Sequence, residues 1–125
     1  AVSIWFQLDK SLAMMFEEGM DNVYARHHRL ATATRNGVKA MGLQLLATEG
    51  IESDTVTAIR LPDGIDGQKL LNVAQDNFNT VFAGGQGSLR GKIIRFGHLG
   101  WVHDEDIAAG LEALRGSLAE LGYKG

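Results

Sequence analysis

Cysteine is absent from these 125 residues, so disulfide staples, zinc–thiolate centres and thiol catalysis are excluded together, and a reducing cytosol suits the chain. Long apolar runs are also missing. None would cross a bilayer, and no charged leader runs into an apolar stretch, so neither membrane insertion nor secretion is expected. Nor is there an excess of positive charge: 12 Lys and Arg stand against 15 Asp and Glu, a formal net charge of -3 without runs of one sign. Such a chain is a poor binder of phosphate backbones, and no nucleic-acid partner is expected. Internal repeats, low-complexity tracts and linkers are lacking too. What is present is one domain's worth of chain, able to bury roughly two-thirds of its unfolded surface and so to hold its own core.

Helical spacing begins at Ser3, with Trp5, Leu8, Leu12 and Met15 on one stripe and Phe6, Ala13, Phe16 and Met20 widening it. Gly19 is a natural break. A second helix then carries Val23, Tyr24, His27, Leu30, Ala31 and Thr34, and its signal weakens between Gly37 and Gly42. Strands are expected at 43–46 and 55–61, the latter closed by the turn Pro62-Asp63-Gly64. Asp66 reads as the N-cap of a helix bearing Leu70, Leu71, Ala74 and Phe78 that ends near 77–79. Two further strands, 80–83 and 92–97, flank a glycine-rich loop, and the residues from Gly84 to Gly91 are too few for a helical crossover, so this pairing is antiparallel. Asp104 reads as a second N-cap, with Glu105 and Asp106 in a first turn that favours acids. Ile107, Leu111, Leu114, Leu118 and Leu121 follow as a stripe, and Gly122 stops it. The fold class is α+β: long N-terminal helices, then a small, mostly antiparallel sheet flanked by helices.

The most informative run is Ala83-Gly84-Gly85-Gln86-Gly87-Ser88-Leu89-Arg90-Gly91-Lys92-Ile93-Ile94-Arg95-Phe96-Gly97-His98-Leu99-Gly100. Alternation puts Ile93 and Arg95 on one strand face and Ile94 and Phe96 on the other. An arginine beside a large apolar residue needs an anion, and its planar fork matches a carboxylate. Arg90 and Lys92 read as solvated charges. Gly84-Gly85-Gln86 matches the release-factor tripeptide, but the charge of the chain does not suit RNA. A nucleotide loop fails on Gln86, which replaces its first glycine, and on Ile93 after Lys92. His27 and His28 are adjacent on a helix and point apart, so they do not form a metal pair. His98 reads as a buried hydrogen-bonding residue. The acids after His103 are accounted for by capping, and no metal site is expected. Met14, Met15, Met20 and Met41 read as core filler or interface.

The same run, together with Glu18-Gly19-Met20, Ala25-Arg26-His27, Arg29-Leu30-Ala31, Thr55-Val56-Thr57-Ala58 and Leu61-Pro62-Asp63-Gly64-Ile65-Asp66, resembles the C-terminal small domain of class V, fold-type I aminotransferases. These are of the alanine- or serine-glyoxylate type and include relatives labelled tritium-exchange subunit of soluble hydrogenase. The resemblance implies a parent transaminase that uses pyridoxal phosphate to pass an amino group from a small amino acid to a keto acid such as glyoxylate. It implies that Arg95 binds the substrate carboxylate, with Gly84 and Gly85 lining the site, and that no catalytic residue lies in this stretch. It also implies a large cofactor-binding domain elsewhere in the polypeptide, with residues 1–18 as an interdomain helix and 19–125 as the small domain. No cofactor is expected on this chain alone. Lys10, Lys39, Lys69, Lys92 and Lys124 match no cofactor-lysine context, and a start at Ala1 without Met fits an excised piece. A homodimer through the first helix is expected, in the cytoplasm, with an organelle the alternative for the parent. The competing reading is an autonomous small-acid sensor or interaction module without catalysis.

Overall fold

The computed structural model describes residues 1–125. Four helices and four strands follow one another along it: α1 (Val2–Glu18), α2 (Met20–Ala40), β1 (Gln44–Leu45), β2 (Val56–Arg60), α3 (Gly67–Phe78), β3 (Ala83–Gly84), β4 (Ile93–Gly97) and α4 (Asp104–Glu120), with a short 3-10 turn at Gly87–Leu89 before β4. The strands form one sheet in the order β1-β2-β4-β3, antiparallel at every step. The α+β expectation holds.

The core lies between one sheet face and the helices. Ile59, Ile94 and Phe96 from the sheet meet Leu30 and Val38 of α2, Leu70 and Ala74 of α3, and Ile107, Leu114 and Leu118 of α4. Phe82 and Phe96 tilt against each other at 5.2 Å between ring centres. Asp66 caps α3 by accepting from the amides of Gln68 and Lys69, as its position ahead of the apolar stripe implies.

Four local expectations change. Helix α2 runs straight through Gly37 to Ala40, because that glycine is where α4 crosses: a Cβ there would stand 2.5 Å from Leu111 Cδ1. The strand expected at 43–46 shrinks to Gln44–Leu45. The strand expected at 80–83 begins only at Ala83, since Thr80 is still closing α3, its amide donating to Ala74 O and its hydroxyl to Phe78 O. At α4 the N-cap is His103, one residue before Asp104, because the Asp106 carboxylate reaches back to the His103 amide at 2.9 Å and so completes a capping box one step earlier.

Helix α1 stands apart from this arrangement. It buries no residue, and Trp5, Phe6 and Phe16 are each about 70% exposed (70%, 72% and 69%). Gly19, at φ +87°, breaks it from α2, and the paired Glu18 and Arg26 side chains bridge the break at 2.7 Å.

Candidate functional site

Strand β4 places Arg95. Its neighbours Ile94 and Phe96 point into the helix-covered core, so Arg95 lies on the opposite sheet face by simple alternation. Directly across from it stand Ala58 on β2 and Ala83 on β3, and two methyl side chains leave a half-buried guanidinium room to be reached. Arg95 Nε donates to Gly84 O at 3.0 Å. That bond holds the guanidinium through Nε, and neither terminal nitrogen donates to a partner within the chain. The ion pairs of the chain join Arg26 to Glu18, His28 and Arg35 to Asp54, Arg29 to Asp104 and Arg115 to Glu112. Arg95 has no acidic partner among them.

The glycine run makes this anchor possible. A Cβ on Gly85 would lie 2.1 Å from Leu89 O and 2.8 Å from Ile93 Cγ1, so only glycine lets the 3-10 turn fold back over the start of β4. The Gly85 amide bonds to Ile93 O at 3.1 Å, which holds the preceding Gly84 carbonyl against Arg95. Gly84 is therefore held at Arg95 with Gly85 beside it at Ile93, while Arg90 and Lys92 are exposed.

Beyond β4 the chain is pinned by two histidines and one arginine. His98 is fully buried; its Nδ1 lies 3.2 Å from Asp54 O and its Nε2 2.8 Å from Thr57 Oγ1. A carbonyl only accepts, so Nδ1 carries the proton and Nε2 accepts from the hydroxyl. Burial pushes the His98 pKa down, keeping the ring neutral. His27 uses the same tautomer: Nδ1 donates to Val23 O at 2.7 Å and Nε2 accepts from the Gly100 amide at 3.1 Å. Arg26 completes the clamp, donating to Gly100 O at 2.8 Å and Val102 O at 3.3 Å with its guanidinium 5.9 Å from the Trp101 ring centre. Its bond to Glu18 holds that carboxyl below the usual carboxylate range. The hydrogen-bonding role expected for His98 is thus what the geometry supports. The part played by Arg26 and His27 was not legible, since neither spacing nor composition connects the middle of α2 to Gly100.

His28 pairs with Asp54 at 2.9 Å, away from His27. No three His, Asp or Glu side chains gather as a metal site. Met41 is buried in the core, and Met14 and Met15 line a cavity of about 330 Å3 between α1 and the Leu99–Trp101 loop. No helix is long and apolar enough to cross a membrane.

No family model matches the chain. Among curated proteins it is similar to the small subunit of soluble hydrogenase from Synechococcus sp. (strain PCC 6716), 42% identical over 98% of this chain and 32% of that protein. It is similar to an uncharacterized aminotransferase of Methanocaldococcus jannaschii, 40% identical over 99% of this chain and 32% of that protein. It also resembles serine–glyoxylate aminotransferase from Hyphomicrobium methylovorum, 43% identical over 92% and 29%. The solved pyridoxamine–pyruvate aminotransferase from Mesorhizobium loti superposes with a TM-score of 0.90 at 40% identity, over 94% of this chain and 30% of that one. Alanine–glyoxylate aminotransferase from Nostoc sp. gives a TM-score of 0.82 at 28% identity, over 86% and 29%. The chain spans about a third of the length of the curated relatives it matches.

Proposed function

We propose that this chain, which belongs to the class V aminotransferases as a small domain of their fold, supplies the substrate-carboxylate arginine of a pyridoxal-phosphate transaminase. The parent would move an amino group from a small amino acid such as alanine or serine to glyoxylate or a similar keto acid. Relatives named for serine–glyoxylate and pyridoxamine–pyruvate transfer support that class. The observation that carries the reading is the state of Arg95: held through Nε by Gly84 O, flanked by alanines and without an acid of its own. Two terminal nitrogens side by side are the complement of two carboxylate oxygens, and an ammonium has no equivalent. Neighbouring Gly84 and Gly85 line the approach.

The residues of this chain do not fit the cofactor by themselves. All five lysines, at 10, 39, 69, 92 and 124, are exposed, so none sits in the enclosed, desolvated setting in which a lysine becomes a nucleophile at neutral pH. Cofactor lysine and phosphate contacts belong, in this reading, to a large domain of the same polypeptide, and the chain alone is inactive. Adding pyridoxal phosphate at micromolar levels, followed by borohydride trapping and mass analysis, is expected to give only scattered, substoichiometric labelling and no turnover. A stoichiometric adduct on one lysine would overturn the assignment.

Residues 1–18 are proposed as the interdomain helix and 19–125 as the small domain proper, the border falling at the Gly19 break. The exposed apolar face of α1 favours this over a free-standing sensor, because surface patches of several hundred Å2 are usually covered in use. Without a large domain to cover it, the chain is expected to associate as a homodimer through α1. Trp5→Asp combined with Leu12→Lys should disperse that dimer while the circular-dichroism melt of the rest persists. Light scattering over a concentration series decides it, and a wild-type chain monomeric at hundreds of micromolar would contradict it. The parent is proposed to act in the cytoplasm.

A further inference from the structure

We propose a second anion site, for a small phosphate-bearing ligand, in the cavity where the end of β2 meets the start of β4. This cavity of about 580 Å3 is lined by Arg60, Lys92, Gly64, Gly91, Asp63 and Tyr123, among others, and by neither Arg95 nor Gly84. Arg60 ends β2 and Lys92 directly precedes β4; the bond from the Leu61 amide to Lys92 O, at 2.9 Å, brings the two to one rim. Both are exposed, and neither enters any ion pair of the chain.

Two tight turns add donors. Ile65 N bonds Pro62 O at 3.1 Å and Lys92 N bonds Leu89 O at 3.0 Å, leaving Gly64 (φ +86°) and Gly91 (φ +74°) at the third turn positions. The amides of these two glycines donate to no acceptor in the chain. Tyr123 spends its proton on Met41 O at 3.0 Å. A guanidinium fork, an ammonium and two free backbone N–H groups around one hollow exceed what a two-oxygen carboxylate can satisfy. A phosphate group, with about −1.5 to −2 charges and at least three acceptor oxygens, uses all of them. Asp63 opposes it from the same rim, which leaves one net positive charge and gives the test its sign. The inference does not depend on the role assigned to Arg95.

Titrating the 15N-labelled chain with inorganic phosphate, at ionic strength held constant with chloride, should give saturable amide shifts at Gly64 and Gly91. Arg60→Ala or Lys92→Ala should weaken the apparent affinity at least about tenfold, the loss of one close charge pair. Asp63→Asn should tighten it, and Arg115→Ala, a surface cation outside the cavity, should leave it unchanged. Glycerol phosphate run beside inorganic phosphate distinguishes an ester from the free ion as the preferred source. Shifts that stay linear, that persist in the Arg60→Ala, Lys92→Ala double variant, or that malonate reproduces at equal affinity would overturn the proposal.

Discussion

Replacing Arg95 by alanine in the proposed parent transaminase is expected to lower kcat/KM at least about thirtyfold while the cofactor stays bound. Truncating one partner of a hydrogen-bonded charge pair costs about 2 to 5 kcal/mol, and each 1.4 kcal/mol or so is tenfold. The loss should appear first as a raised KM for the amino acid, because the proposed clamp would act on bound substrate and on the transition state alike. Arg95→Lys should stay defective: the point charge survives, but the end-on pair of donors does not, and the Nε bond to Gly84 O has no counterpart in lysine. Near-normal kinetics in both variants would show that the carboxylate is held by another cation.

Leu114→Ala is expected to destabilise the chain by about 2 to 5 kcal/mol, the range for emptying a closed leucine site. Leu114 is 0% exposed and belongs to the core cluster that contains Leu70, Ile94, Phe96 and Leu118, so little can collapse into the space. At roughly 4 °C per kcal/mol for a domain of this size, the melting midpoint should fall by about 8 to 20 °C. Leu114→Met, which keeps the volume, should cost less than about 1.5 kcal/mol. A calorimetric midpoint for Leu114→Ala within about 2 °C of wild type would mean that α4 is not packed as described.

Local signals carried most of this fold because they are short-range. Asp66 before an apolar stripe can do little but cap α3, and the alternation from Ile93 to Phe96 fixes which face Arg95 takes once one face is buried. Misreadings arose where a distant element decided the outcome. Gly37 looks like a helix breaker in isolation; its meaning is the passage of Leu111 over α2. Thr80 to Phe82 have strand-forming residues, but Thr80 is drawn back to Ala74 and Phe78. The His103 cap depends on a carboxylate reaching backwards from Asp106, and an acid at either of two adjacent positions fits the same pattern. The approach of Gly84 to Arg95 was legible because both lie in one short strand–loop–strand run. The Arg26 and His27 clamp on Gly100, and the meeting of Arg60 with Lys92, come from tertiary proximity that no window of sequence contains.

The measurement that bears most directly on the role proposed for Arg95 is a crystal structure of the proposed parent transaminase, pyridoxal phosphate bound, with a small amino-acid analogue in the site. The account predicts the analogue's carboxylate end-on to the two terminal nitrogens of Arg95, at about 2.7 to 2.9 Å, with Nε still on Gly84 O. A carboxylate gripped by a different cation, with Arg95 turned to solvent or paired to an acid of the large domain, would contradict it.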